Sequence, residues 1–418
     1  MTLLAVGVSH RTASLALRER LHLTERGATE LLVVLLARPG IEEAAALATC
    51  NRTELYLLAR DARDAERAVT AELARAGKLP PAEIATAIQM LDGAAAARHL
   101  FTVAAGLDSM VVGEAEIQGQ VSRAYQLALA AATSGRVVNR LFQDALRTGK
   151  RVRSETGVAR HGASVASVAV AIAQREIGDL RGRRALVIGA GRHGALIARA
   201  LTSCGAETIF VANRSHERAE ELARRFAGTA VGFDDLAGEL SRCDLVLTCT
   251  SCPQRVLTRD QLAAAARGRR LVVIDTAVPR DVEPSARHLA GVALYDLDAI
   301  QAEIARNLST REAEARRAAP IVEEELSRFE RWLASLEVVP TIAALRQRGD
   351  AAVERALREN EPRWQALSHA DRERVALIAR AVVSDLLHEP TLSLRRAGEN
   401  GASSLYVQTV HELFGLTA

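Results

Sequence analysis

Arg184-Ala185-Leu186-Val187-Ile188-Gly189-Ala190-Gly191-Arg192-His193-Gly194 decides the fold of the middle of this chain. A buried-strand run leads straight into a G-x-G-x-x-G spacing, and a helical pattern follows as far as Cys204. The glycine spacing is weak evidence alone and strong evidence between a strand and a helix. Glycines let the backbone approach a pyrophosphate, and a helix N-terminus presents amides to bind it. Gly189, Ala190, Gly191, Arg192, His193 and Gly194 are therefore the expected dinucleotide-binding turn. Glu207–Val211 forms a second strand, ending in Ala212-Asn213-Arg214-Ser215. A reader of NAD places an acid there for the ribose 2′-hydroxyl. Asn213, Arg214 and Ser215 offer none, and Arg214 with Ser215 suits a 2′-phosphate, so NADPH is the expected cofactor.

Working outward, further parallel strands are expected at Leu245–Thr248, Leu271–Ile274 and Ala293–Tyr295, completing an open α/β sheet. Asp275-Thr276-Ala277-Val278-Pro279-Arg280-Asp281 leaves the carboxyl end of its strand, where such sheets bind ligands. Cys249-x-x-Cys252 lacks a second ligand pair, so no metal site is expected, and small residues packing near the nicotinamide account for it better. Asp298 to Leu336 is a long helical stretch in which Pro320 is expected to introduce a bend and Pro340 to mark the end. Helices follow at Thr341–Glu359, Arg372–His388 and Tyr406–Phe414, with Leu392–Ser404 loop-like. A long connecting helix followed by a small helical bundle has the pattern of an oligomerisation module.

Upstream of the dinucleotide turn, Leu3–Val8 is a strand and Arg18 to Ala37 has helical spacing. Helices are expected from Asp64 to Ala76, from Pro81 to Leu91 and from Gly93 to Ala105, and Ser164–Arg175 is a connector. Strand-like runs flank Thr49-Cys50-Asn51-Arg52-Thr53, which makes that segment the link between two strands of an antiparallel sheet. An exposed, firmly held thiol suits nucleophilic attack on an acyl carbon. Arg52 offers a planar fork for a carboxylate. A small buried Cys50 and a surface Arg52 are the structural alternative. Gly106 to Gln120 crowds Ser109, Glu114, Glu116, Gln118 and Gln120 into a glycine-punctuated turn entering a helix, able to hold an ammonium and a carboxylate together. The structural alternative here is a polar loop and helix cap.

The whole chain narrows the class. Its 418 residues suit two or three domains, and the formal charge of +3 excludes global polyelectrolyte character. Its only lysines are Lys78 and Lys150, so a Schiff-base enzyme is not expected. Five cysteines without framework spacing fit a reducing cytoplasm. Met1–Val8 has the pattern of a strand rather than a signal, and no run reaches the ~20 apolar residues of a membrane span. Arg136, Arg140, Arg147 and Arg151 lie close to one helical face, as a nucleic-acid backbone would require or as an ordinary solvated face would show. Aromatic residues make up 3%, which favours shape and phosphate contacts over base stacking.

Ser9-His10-Arg11-Thr12, Thr49-Cys50-Asn51-Arg52-Thr53-Glu54 and Gly106-Leu107-Asp108-Ser109-Met110 through Gly119-Gln120 together resemble glutamyl-tRNA reductase. With the dinucleotide motif, the resemblance covers nearly the whole chain. It implies NADPH-dependent reduction of glutamyl-tRNA to glutamate-1-semialdehyde, the first committed step of tetrapyrrole synthesis by the five-carbon route. By resemblance Cys50 is the nucleophile and His99 the histidine that matters for activity. Thr49, Asn51, Arg52, Ser109, Glu114, Ala115, Glu116 and Gln120 then line the glutamate pocket. Many members carry Pro-Gln where this chain has Ala115-Glu116.

The fold implied is α/β and multidomain, in three parts: an α+β catalytic domain over 1–160, a Rossmann domain over 161–297, and a connecting helix with a helical dimerisation domain over 298–418. A V-shaped homodimer and a complex with the downstream aminomutase are family expectations. Two other functions fit parts of the chain. The central domain resembles shikimate-dehydrogenase-like modules acting on small carbonyl compounds, a function that gives Cys50 and Arg52 no purpose. A tRNA-docking factor without chemistry conflicts with intact Cys50, His99 and all three glycines.

Overall fold

A computed structural model describes residues 1–109, 116–158, 164–206, 208–305, 309–364, 367–399 and 403–416. Glu114 and Ala115, expected in the substrate pocket, lie outside the described residues. The chain forms two compact units that divide between Glu323 and Glu324.

The first unit begins with a four-stranded antiparallel sheet of order β2-β3-β1-β4, made of β1 (Thr2–Ser9), β2 (Ile41–Ala48), β3 (Arg52–Ala59) and β4 (Gln89–Asp92). Between and after these strands run α1 (Leu15–Leu21), α2 (Glu25–Leu36), α3 (Ala62–Gly77), α4 (Pro81–Ala85), α5 (Gly93–Ala104), α6 (Glu116–Ala130) and α7 (Arg136–Glu155). The period-two alternation of β3 explains the layering. Leu55, Leu57 and Ala59 join Leu31, Leu32, Leu35, Val69 and Leu73 in an apolar cluster with α2 and α3. Tyr56, on the opposite face, meets Phe142 of α7 edge-on at 5.6 Å.

Two details differ from the sequence pattern. The helical spacing over Arg18–Ala37 is broken at His22–Thr24, because the Thr24 hydroxyl accepts from the Gly27 amide and starts α2 afresh. The pattern over Pro81–Leu91 holds only to Ala85. Gln89–Asp92 turns to strand because the open edge of β1 supplies ladder partners, in the register Leu4↔Asp92 to Gly7↔Gln89. Pairing outweighs local propensity there.

The same unit continues through α8 (Val165–Ile177) into a six-stranded parallel sheet of order β10-β9-β8-β5-β6-β7. Its elements are β5 (Arg184–Ile188), α9 (Arg192–Ser203), β6 (Thr208–Ala212), α10 (His216–Arg225), β7 (Thr229–Val231), α11 (Leu236–Leu240), β8 (Leu245–Thr248), α12 (Arg259–Ala265), β9 (Leu271–Asp275) and β10 (Val292–Tyr295). The strand order is that of a doubly wound dinucleotide fold, reversing between β5 and β8. Ala185 and Val187 face one helical layer and Leu186 and Ile188 the other. The short strand β7 carries no apolar run in the sequence. It pairs with β6 at the sheet's edge, Phe210↔Thr229 to Ala212↔Val231.

Helices α13 (Leu297–Ala305) and α14 (Ser309–Glu337) follow, with Leu297 and Ile300 of α13 buried in the core of the parallel sheet, and α14 runs on through Pro320, since the bonds of flanking turns carry a helix past one missing N–H. The second unit is helical, with α15 (Val339–Asn360), α16 (His369–Leu386), α17 (His388–Glu399) and α18 (Ser403–Phe414). The expected loop over Leu392–Ser404 is helical as far as Glu399. Leu394 is fully buried there with Val338, Ile342, Leu345 and Val410, and that burial holds the segment despite its glycine and polar residues.

Candidate active site

The turn between β2 and β3 is built by hydrogen bonds that its own residues dictate. Thr49 donates its amide to the Arg52 carbonyl at 2.8 Å. Its hydroxyl accepts from the amides of Asn51 and Arg52 at 3.1 and 3.2 Å. The His10 amide donates to the Asn51 carbonyl at 2.8 Å, clamping the turn to the end of β1. Cys50 is thus displayed at the tip of a short, doubly held turn. It is half-buried and packs against the apolar cluster that includes Leu15 and the parallel-sheet core. No cysteine is in a disulfide.

Beneath this turn lies a buried polar cluster. Arg52, Glu54 and Tyr56 alternate along β3 and share one face, a polar stripe opposite Thr53, Leu55 and Leu57. Arg52 is 2% exposed. Its Nη1 donates to Glu54 Oε1 at 2.8 Å, and Nη2 donates to the Asp108 carbonyl. Both nitrogens also lie 3.3 Å from Asp108 Oδ2. Tyr56 donates its hydroxyl to Glu54 Oε2 at 2.8 Å, and His99 Nε2 lies 2.9 Å from Glu54 Oε1. Arg11 closes the set with an ion pair to Asp108 Oδ1. Burial pushes the Glu54 carboxyl up, but the charges of Arg52 and His99 and the His99 and Tyr56 bonds outweigh it and hold it down at about 2. Burial drives the His10 imidazole down to about 4, with Arg52 adding to the effect. An ionised Glu54 accepting from His99 Nε2–H leaves Nδ1, 3.9 Å from Asp108, as the basic nitrogen of the ring.

The expected residues separate into groups. Thr49, Cys50, Asn51, Arg52 and His99 come together with Asp108, and Ser109 follows Asp108 directly. Gln120 lies in a groove with Leu23, Ala46, Ala48 and Arg123. Glu116 turns toward the dinucleotide turn, with Oε2 at 2.9 Å from His193 Nδ1 and Oε1 at 3.7 Å from Arg192 Nε. Reasoning from sequence missed Glu54, Asp108 and Arg11 as members of the cluster. The Arg-x-Glu-x-Tyr alternation inside β3 was the available signal for the first.

At the dinucleotide turn, Gly189 has φ +120°, and a Cβ on Gly194 would lie 2.0 Å from the Gly189 carbonyl, so both positions exclude side chains. A Cβ on Gly191 would meet nothing within 4 Å, and α9 starts there without a side-chain cap. Open space before uncapped helix amides fits a diphosphate. Asn213 Oδ1 accepts from the Ala190 amide at 3.3 Å, which ties the turn to the end of β6. Arg218 and Arg225 of α10, which the glycine pattern does not reach, line the cleft with Gly191, Arg192 and Leu222. On α7 the basic stripe carries its own counter-charge: the fully buried Asp144 accepts from Arg140 at 2.8 Å and pairs with Arg147 at 2.9 Å.

Three segments of the chain match known protein families. Residues 6–156 match the N-terminal domain of glutamyl-tRNA(Glu) reductase, residues 171–303 match shikimate/quinate 5-dehydrogenase, and residues 317–416 match the dimerisation domain of glutamyl-tRNA(Glu) reductase. The chain is 40% identical over 420 residues to glutamyl-tRNA reductase of Moorella thermoacetica, covering 100% of this chain and 95% of the relative. It is 39% identical over 419 residues to that of Pelotomaculum thermopropionicum, covering 100% and 94%. Among solved structures, the glutamyl-tRNA reductase of Methanopyrus kandleri is 32% identical, with coverage of 95% and 98% and a TM-score of 0.49.

Proposed function

The chain belongs to the glutamyl-tRNA reductase family, and from that premise we propose that Cys50 carries the glutamyl group as a thioester before it is reduced with NADPH. The overall activity is reduction of glutamyl-tRNA to glutamate-1-semialdehyde, the first step of tetrapyrrole synthesis. The single observation that carries the assignment of Cys50 is its place at the tip of a clamped turn, two residues before Arg52, whose guanidinium belongs to a buried cluster that includes His99.

The Cys50 thiolate attacks the ester carbonyl of glutamyl-tRNA, a C–S bond forms, and the ribose oxygen leaves as its C–O bond breaks. His99, oriented by Glu54, takes the thiol proton of Cys50 on Nδ1 as the thiolate forms and passes it to that departing oxygen. Bound at the glycine-rich turn, NADPH supplies the hydride. Once the acyl carbon is reduced, the C–S bond breaks, the aldehyde leaves, and the expelled Cys50 thiolate takes a proton from solvent. Thr49, Asn51, Ser109, Glu114, Ala115, Glu116 and Gln120 are proposed to contact the glutamyl group. Arg52 contributes Nε, which is buried and has no partner among the described residues.

Gly189, Ala190, Gly191, Arg192, His193 and Gly194 are proposed to cradle the diphosphate, and Arg214 with Ser215 to receive the 2′-phosphate, Asn213 holding the turn. Homodimerisation through the C-terminal helices is supported by the match over 317–416. No described helix is long and apolar enough to cross a membrane, which is consistent with the proposed cytoplasmic location. A complex with the aminomutase that consumes the aldehyde is proposed on chemical grounds, since a reactive product gains from direct transfer.

The test follows NADPH oxidation with glutamyl-tRNA, free glutamate and glutaminyl-tRNA, using wild type and Cys50→Ser. Oxidation with glutamyl-tRNA alone, abolished in Cys50→Ser, is the expected outcome. Oxidation that survives the substitution would remove the thioester and point to direct hydride transfer.

A further inference from the structure

The helix α1 places adjacent residues of opposite charge between the thiol turn and the parallel-sheet lobe of the same unit. Arg18 is 3% exposed although it carries a full charge. Its Nε donates to the Ala13 carbonyl at 3.3 Å, its Nη1 to the Cys50 carbonyl at 2.9 Å, and its Nη2 to Asp298 Oδ1 at 3.0 Å. Each nitrogen of the fork therefore has a different task. One fixes the side chain to its own segment, one holds the backbone of Cys50, and one reaches the first turn of α13.

Glu19, the next residue, accepts from the Arg280 guanidinium at 2.9 and 2.7 Å and from Arg255 at 3.3 Å. Arg280 belongs to the loop leaving the carboxyl end of β9, the edge at which a doubly wound sheet binds its ligand. Leu15 of α1 also lies in the apolar cluster against which Cys50 packs.

We infer that Arg18 is a positioning residue of the reduction: it registers the Cys50 turn against the cofactor lobe, so that the acyl carbon held on sulfur meets the hydride donor. The inference rests on Cys50 being the acyl carrier. A buried guanidinium satisfied by two backbone carbonyls and one carboxylate is costly to place, and a buried apolar residue would serve α1 equally well for packing alone. Glu19 and Arg280 lock the same helix to the ligand edge, so the registration is two-point and resists rotation about either contact. The charged and titratable groups around Arg18 are Asp298 and Asp296 from the cofactor lobe, Glu19 on its own helix, and Cys50 and His10 from the thiol side. Burial lowers the Arg18 pKa, and the charges of Asp298 and Cys50 oppose that.

The experiment compares wild type, Arg18→Met, Arg18→Lys and Asp298→Asn as full-length dimers. Two readouts are taken: kcat and KM with glutamyl-tRNA and NADPH, and the pH dependence of iodoacetamide alkylation at Cys50, read by mass spectrometry of its peptide. Arg18→Met is expected to lower kcat at least about tenfold with KM for glutamyl-tRNA nearly unchanged. It should also move the alkylation midpoint upward by about one pH unit, as loss of a neighbouring cation requires. Arg18→Lys, which keeps charge but not the fork, should restore the alkylation profile and leave kcat low. Asp298→Asn, on a half-exposed side chain, should lower kcat severalfold without loss of folding.

A folded Arg18→Met with both readouts at wild-type values overturns the inference. Should Arg18→Met not fold, Asp298→Asn decides: wild-type kcat overturns it, and a lowered kcat at unchanged KM supports it. Failure of the thioester itself shows separately as activity retained in Cys50→Ser, while the alkylation profile still reports whether Arg18 acts on Cys50.

Discussion

Glu54 is buried and has contacts from three donors, Arg52, Tyr56 and His99. Its charge is what lets Arg52 remain inside the sheet, and its position fixes which imidazole nitrogen of His99 is basic. Glu54→Gln keeps the shape and removes the charge, leaving Arg52 with Asp108 as its only carboxylate partner among the described residues. Urea unfolding is expected to show a loss of roughly 3–5 kcal/mol, the range for breaking a buried pair from one side. The loss has a pH signature. The unfolded chain takes up the Glu54 proton near its ordinary 4.5, the folded chain only at about 2. Wild-type stability from this group is therefore present above about pH 4.5 and lost as pH falls toward 2. Glu54→Gln should lack that component, and an equal slope in both proteins would refute the assignment.

Among the elements, α5 and α7 determine where His99 sits. Gly149 of α7 meets the end of α5 so closely that a Cβ would lie 2.4 Å from the Ala104 carbonyl. Backbone atoms cannot yield as a flexible side chain can, so Gly149→Ala must separate the helices. An overpacking cost of about 1–3 kcal/mol is expected in thermal unfolding, with kcat reduced because His99 shifts relative to Glu54. Wild-type kcat in a destabilised Gly149→Ala would detach helix spacing from catalysis. A second element-level feature is the pairing of Glu116 at the start of α6 with His193 in the dinucleotide turn. Burial raises the Glu116 pKa, but the His193 bond and charge lower it further, so the carboxylate stays ionised beside the turn.

At the scale of the whole molecule, the second unit exposes Leu377, Ile378, Val382 and Leu386 at 62, 63, 53 and 70%. Ile378, Val382 and Leu386 are spaced four apart and form one stripe along α16. An apolar stripe of this length has the character of a docking surface, and residues 317–416 match a dimerisation domain. Ile378→Glu with Leu386→Glu places charges on it and should convert the dimer to monomer in sedimentation at micromolar concentration. A dimer that survives both changes would assign dimerisation to another face.

The sequence by itself determined the features that are local and periodic. The strand–glycine–helix order at Arg184–Gly194, the link between two strands at Cys50 and the helical character of the C-terminal third all depend on neighbours within a few residues. It also yielded Arg52 as a residue of note, though as a free fork for a ligand rather than a guanidinium already shared between Glu54 and Asp108. Only the tertiary structure decided the rest. Gln89–Asp92 became strand because β1 had an open edge, and Leu392–Glu399 became helix because Leu394 found a core. Arg18 gained its meaning from partners 32 and 280 positions away. Ladder pairing, burial and ion pairing across such separations carry no period along the chain, so no local pattern announces them.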